Sequence, residues 1–222
     1  MEYNYLLKRV KDKKLLLFGE IHGTKEIPLI IQKIITLLKD DINLIFLEIP
    51  KDQQKYINDY VKSINENDLF KMPFFKNSNK DGRDSKENLY LIKCLLDFNL
   101  KIICVDPNEI KDRDYLMYRE IKENLNLDNK KINIFITGNF HASKEKIVIN
   151  KKEFIPCGYY LRGWLKNDLI IVNFVINNGN IYNLRLKKII NKDKKEEGIF
   201  PSQSKNYDFE YIINKVSPCS FL

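Results

Sequence analysis

The segment Leu15-Leu16-Leu17-Phe18-Gly19-Glu20-Ile21-His22-Gly23-Thr24 decides the fold. Four consecutive apolar residues closed by a glycine read as a strand buried on both faces, and the glutamate and histidine stand just beyond its end. The same grammar recurs three times downstream. Leu44-Ile45-Phe46-Leu47 runs into Glu48, Ile102-Ile103-Cys104-Val105 into Asp106-Pro107, and residues 132–137 into Gly138-Asn139-Phe140-His141. Helical patterns fill the intervals. Thr24 caps a helix with Ile30, Ile34, Leu37 and Leu38 on its apolar face; residues 52–64 form a second; Ser85 caps a third through Leu89, Ile92, Leu95 and Leu96; and residues 114–125 form a fourth. This alternation predicts an α/β fold, a three-layer sandwich around a mostly parallel central sheet. The first strand–helix–strand unit is expected to set the strands ending at Glu20 and Glu48 side by side.

After residue 138 the alternation stops. Residues 169–176 and 181–186 flank Asn177-Asn178-Gly179-Asn180, so a C-terminal antiparallel hairpin is expected to finish the sheet. Residues 1–190 read as a single catalytic-type domain. Residues 191–222 read as a polar, lysine-rich tail with one short helix over 207–216. Within the domain, residues 67–84 interrupt the pattern. That stretch carries Met72-Pro73-Phe74-Phe75 and then a polar run around Gly82, as a mobile lid would.

A chain of 222 residues suits one ordinary domain. Its net charge of +8 comes from basic and acidic residues spread along the whole length, and the densest basic run, 187–195, is followed at once by Glu196 and Glu197. Without a concentrated basic helix, no nucleic-acid partner is expected. No apolar stretch approaches the roughly 18–20 residues of a membrane span, and residues 1–14 lack the apolar core of a secretory signal. A cytoplasmic protein is expected. The cysteines Cys94, Cys104, Cys157 and Cys219 are scattered without a C-x-x-C pair, which argues against a zinc ribbon or a disulfide framework.

In open α/β sheets the reactive groups gather at the carboxyl ends of the strands. The chain has two histidines, and each is the fourth residue of a G-x-x-H closing a buried strand. One such histidine is ordinarily structural. Two at the same edge of one sheet, with Glu20 and Glu48 beside them and glycines around them, point to a shared crevice.

At these residues the chain resembles a superfamily that groups the TraB and Tiki proteins, the ChaN-type haem-binding proteins and the erythromycin-esterase-like hydrolases. The resemblance rests on Gly19-Glu20-x-His22, Glu48, Asp81-Gly82-Arg83-x-Ser85, Arg113-Asp114-x-x-Met117, Gly138-Asn139-x-His141 and Gly158-Tyr159-Tyr160-Leu161, and it covers most of residues 15–180. The Gly-Glu-x-His spacing is similar to the ChaN type. Gly23-Thr24 with Glu26 is closer to the esterases, which have one more residue between their Glu and His. Tiki and TraB members usually carry threonine where this chain has Glu20.

Three chemistries follow. In the first, an ester or amide bond, peptide bonds included, is cleaved by water activated at His22, which Glu20 or Glu48 orients. Arg83 stabilises the oxyanion or holds a substrate carboxylate, and His141 serves as the acid. Asp106, Asn139, Tyr159 and Tyr160 are the expected binding residues for a small-molecule or peptide substrate. In the second, His22, His141 and Glu20 hold a divalent metal ion in a Tiki/TraB-type peptidase. In the third, the protein binds haem or another small ligand in the ChaN manner. His22, His141, Tyr159 or Tyr160 then ligates iron, and Met72, Phe74 and Phe75 cover the porphyrin.

Overall fold

The computed structural model describes residues 3–76, 80–109, 111–149, 151–193 and 195–222. Seven strands form the main sheet: β1 (Leu15–Glu20), β2 (Ile42–Pro50), β3 (Lys101–Asp106), β4 (Ile132–Gly138), β7 (Leu169–Ile176), β10 (Gly198–Pro201) and β11 (Phe209–Ile213). Two small ribbons stand apart from it: β5 (Ile147–Ile149) with β6 (Lys152–Phe154), and β8 (Asn178–Asn183) with β9 (Arg185–Ile190). Across the main sheet the order is β3-β2-β4-β1-β7-β11-β10, and every pair is parallel except β10–β11.

Alternation along the strands supplies two cores. Leu16 and Phe18 of β1 join the larger one, with residues of α1 (Asn4–Val10), α2 (Glu26–Leu38), α3 (Gln54–Ser63) and α6 (Lys86–Asp97). Leu15 and Leu17 join the other, with residues of α7 (Arg113–Asn124) and α9 (Cys157–Leu165). All six residues of β1 are buried, as a strand covered on both faces requires. The chain is thus an α/β sandwich of three layers, with a mostly parallel sheet ending in an antiparallel pair.

The sheet departs from the expected arrangement in three ways. First, β1 and β2 are not neighbours, because β4 lies between them. The chain runs from β1 through β2 to β3 with helices on one face. It then returns through α7 on the opposite face and inserts β4 in the gap. The chain leaves β1 and β2 toward one face and β4 toward the other, which opens a crevice at the carboxyl end of β4.

Second, the antiparallel pair that ends the sheet is not the 169–186 hairpin. β7 stays in the sheet between β1 and β11, while β8 pairs with β9 around Leu184, whose φ is 60°. Gly179, at φ +137°, passes so close to Val216 that a Cβ there would lie 2.2 Å from the Val216 carbonyl oxygen. Turn residues between two apolar runs suggest a reversal; here they mark the exit from one sheet into another.

Third, within the expected 191–222 tail the described residues 195–222 are not loose, and 207–216 is not a helix. Phe209, Tyr211 and Ile213 of β11 are buried in the larger core. An apolar run this short does not separate strand from helix by its periodicity.

The 67–84 stretch holds most of α4 (Glu66–Phe70) and all of α5 (Pro73–Lys76), and Leu69, Met72 and Phe75 are core residues. Part of the expected lid, residues 77–79, lies outside the described residues.

Candidate functional site

The crevice at the end of β4 collects side chains from loops far apart in the chain. Glu20 ends β1, and its Oε1 accepts a hydrogen bond from His22 Nδ1 at 2.8 Å. That bond places the imidazole proton on Nδ1 and leaves a lone pair on Nε2. No group among the described residues hydrogen-bonds to this Nε2. It lies against Gly138, where a Cβ would stand 2.8 Å from it and 3.5 Å from Cδ2 of His141. Both imidazoles therefore flank one spot beside a glycine, and a larger residue would fill it. Burial lowers the pKa of His22, but the Glu20 hydrogen bond and the carboxylates of Glu20 and Glu48 outweigh that, so it is raised above 6.5.

His141, from the short helix α8 (Asn139–Ala142), is wired differently. Its Nδ1 donates to Asp114 Oδ1 at 2.8 Å, and its Nε2 lies 3.0 Å from Arg113 Nη1. Arginine has only donors, so Nε2 accepts and the ring is neutral in this arrangement. Burial opposes protonation of His141, while Glu48 and Asp114 favour it and raise the pKa overall. Protonation must then move the Arg113 guanidinium, because two donors cannot face each other across that contact.

Glu48 anchors the centre. Its Oε1 accepts from Arg83 Nη1 at 2.9 Å and Arg113 Nη2 at 2.7 Å; its Oε2 accepts from Thr137 Oγ1 at 2.5 Å and the Gly138 amide at 2.7 Å. Burial alone would raise its pKa, but the neighbouring histidine and arginine charges hold it well below 4.5. This carboxylate pins the end of the adjacent strand β4 and orients neither imidazole directly; His141 Nε2 is 3.7 Å away.

Arg83 does reach the crevice, with its N–H groups largely committed. Nε and Nη2 donate to Asp81 Oδ2 at 3.0 and 2.7 Å, and Nη1 donates to Glu48 and to Asp106 at 3.2 Å. One N–H on Nη2 is left over. Asp106, expected to bind substrate, instead holds guanidinium groups: Arg113 Nε donates to its Oδ1 at 2.9 Å, and Arg113 Nη2 to its Oδ2 at 2.6 Å.

The structure thus brings Glu20, His22, Glu48, Arg83, Asp106 and His141 together. Asn139 starts α8 half-buried, and its carbonyl accepts from Tyr207. Tyr160 packs against Tyr115 and Tyr118, with centroids 5.3 and 5.5 Å away, while Tyr159 meets the edge of Tyr160 and the Lys146 ammonium. Neither tyrosine hydrogen-bonds to the cluster among the described residues. Met72 and Phe75, expected over a porphyrin, lie in the core; the Arg83 guanidinium sits 6.0 Å from the Phe74 ring centre.

Asp81, Arg113, Asp114 and Thr137 belong to the site and are absent from the expected set. A signal for the first three is present, since Asp81-Gly82-Arg83 and Arg113-Asp114 stand among the motifs that carry the resemblance. Thr137, the last residue before Gly138, carries no such signal.

The donor set does not suit a metal ion. The Glu48 carboxylate and both nitrogens of His141 are already hydrogen-bonded, and two guanidinium ions occupy the centre. Among the described residues no group of three or more His, Cys, Asp or Glu is arranged to hold one.

A cavity of about 30 Å³, lined by Glu20, Glu48, Arg83 and Asn88 among others, lies against the cluster and has room for water but not for a substrate. A far larger groove, about 970 Å³, is elsewhere, along α3, α6 and β3, and includes none of the cluster's side chains. There the Gln54 amide caps edge strand β3, donating to Ile102 O and accepting from Cys104 N.

No known protein family and no curated protein matches the chain. Solved structures do. A succinoglycan biosynthesis protein superposes with TM-score 0.76 at 12% identity, covering 98% of this chain and 92% of that one. An erythromycin esterase mutant in its open conformation gives 0.60 at 13%, over 97% and 79%. ChaN of Campylobacter jejuni, solved with cofacially bound haem, gives 0.53 at 13%, over 95% and 91%. One of these neighbours is an esterase and another binds haem. Among the described residues no helix is long and apolar enough to cross a membrane. At such identities the likeness is one of fold, and the two G-x-x-H motifs stand on a fold that this chain shares with erythromycin esterase and ChaN.

Proposed function

We propose that the protein hydrolyses an ester or amide bond with His22 as the general base. The observation that carries this is the Nε2 of His22, which no group among the described residues hydrogen-bonds and which the Glu20 carboxylate behind the ring holds in place. In its neutral form Nε2 takes a proton from water as the water oxygen attacks the substrate carbonyl carbon. The carbon–oxygen or carbon–nitrogen bond then breaks, and the proton on Nε2 passes to the leaving group. The uncommitted N–H groups of Arg83 and Arg113 are the donors available to the oxyanion.

The same geometry narrows the substrate. The carboxylates of Glu20, Glu48, Asp81, Asp106 and Asp114 outnumber the two guanidiniums, so a neutral or cationic substrate suits the site. A substrate carboxylate would find one spare N–H on Arg83 and could pair with it on two N–H groups only by displacing Asp81. Glu48 and Asp106 are positioning residues here. His141, tied at both nitrogens, positions Arg113.

Haem binding is the second reading, supported by the fold shared with ChaN and by the same unpartnered Nε2, which would hold the haem iron. Experiment separates the two. Turnover of a panel of neutral chromogenic esters, lost in His22→Ala and rising with pH through a value above 6.5, supports the hydrolase. A Soret band on haem titration, lost in His22→Ala and without any turnover, overturns it.

A further inference from the structure

The chain after β11 makes contacts that the chemistry above does not use. Pro218 bridges Thr24, Lys25 N donates to Ser217 O at 3.0 Å, and Cys219 N donates to Gly23 O at 3.0 Å. Ser217 N donates to Glu26 Oε2 at 2.9 Å. All these partners belong to the loop after His22 and the start of α2. One step on, Lys86 N donates to Ser220 O at 2.8 Å, and Ser220 N to Glu87 Oε2 at 3.0 Å. Those partners begin α6, just after Arg83. Phe221 then packs edge-on to Tyr182, with centroids 5.0 Å apart.

We infer that residues 217–221 are a strap that positions the site by fastening the His22 loop to the Arg83 loop. The two loops touch closely beneath it. Gly82, at φ +96°, lies so near Gly23 that a Cβ would stand 2.4 Å from the Gly23 nitrogen. A contact this tight lasts only while both loops are held against each other, and the strap is tied to both. Asp84 is buried at the same junction. Its Oδ1 accepts from Gly82 N, and its Oδ2 has no hydrogen-bond partner.

Loosening the strap lets the 82–86 segment draw back and takes the Arg83 guanidinium away from Glu48 and the crevice. The ring of His22 reports this. Glu20, Glu48 and Asp81 favour its protonation and Arg83 opposes it; Asp81 precedes the segment that draws back, so retreat of Arg83 removes the one opposing charge and raises the titration midpoint. His141 answers to Glu48, Asp114 and Arg113 on the other side of the crevice.

The test needs no substrate and is independent of whether the site hydrolyses anything. In the full chain, Ser220→Pro removes the N–H that Glu87 accepts, while Ser220→Ala keeps it. Ring carbon–proton NMR resolves the two histidines, which are titrated in each variant. The expected result is that Ser220→Pro raises the His22 midpoint by about 0.5–1 in pH, leaves His141 unmoved, and adds nothing in an Arg83→Gln background. Ser220→Ala is silent. A folded Ser220→Pro protein with the wild-type His22 midpoint overturns the inference, as does an equal shift of both histidines. If Ser220→Pro does not fold, Glu87→Ala removes the acceptor alone, with the same expected and overturning results.

Discussion

Two segments of this molecule are written alike and behave differently. Residues 19–22 and 138–141 both close buried parallel strands with G-x-x-H, and both imidazoles donate Nδ1 to a carboxylate at 2.8 Å. Their other nitrogens differ. His22 Nε2, beside Gly138, has no hydrogen-bond partner among the described residues, whereas His141 Nε2 accepts from Arg113. A motif places a side chain at a strand end; the partners that converge there from other elements decide whether it can exchange a proton.

The strongest way to break this contrast is to delete each ring. Under the hydrolase reading, His22→Ala lowers kcat/KM by roughly 10²–10⁴-fold, the usual contribution of a general base. The variant stays folded, with a thermal midpoint lowered only as far as buried Glu20 loses its donor. Loss of turnover together with unfolding would mean that His22 is structural.

Glu48 serves both halves, so Glu48→Ala is expected to cost about 3–5 kcal/mol in denaturant unfolding by leaving buried guanidiniums uncompensated. A loss under about 1 kcal/mol, the range of an exposed pair, would show that the arginines find other partners. His141→Ala comes next, at about 1–3 kcal/mol, because Arg113 loses its acceptor and Asp114 one of its donors. Neutral behaviour in that variant would erase the assigned difference between the histidines.

The smallest effects are those of pH, and their signs are opposite. Glu48 is depressed in the folded protein. Its stabilisation is present above 4.5 and is lost as pH falls through the lower folded value. His22 is raised. Its contribution is complete below 6.5 and is lost as pH rises through the higher folded value. Stability profiles should each lose one of these slopes on substitution, Glu48→Gln at the acid end and Glu20→Gln at the alkaline end.

Much of this arrangement is legible in the residues. Unbroken apolar runs at 15–18, 44–47, 102–105 and 132–137 announce four parallel strands, since a strand covered on both faces carries such a run. Strand-end chemistry likewise located Glu20, His22, Glu48 and His141. Strand order stayed hidden because β4 enters between β1 and β2 by a long-range crossover that no local pattern records. β11 escaped for a related reason. Its place comes from pairing with β7, and a short apolar run names no partner. Arg83 shows the limit at the site itself. Its position was readable, but Glu48 and Asp106, brought in from other strands, take up its Nη1.

The two histidines differ in one available lone pair, and acylation reads that directly. Diethyl pyrocarbonate attacks an unprotonated, accessible imidazole nitrogen, and with two histidines in the chain, peptide mass spectrometry assigns each histidine adduct. At a pH above both midpoints, the predicted result is rapid modification of His22 with His141 protected, and loss of that protection in Arg113→Ala. Modification of His141 at the same rate as His22, or ahead of it, in the unaltered protein would contradict this assignment.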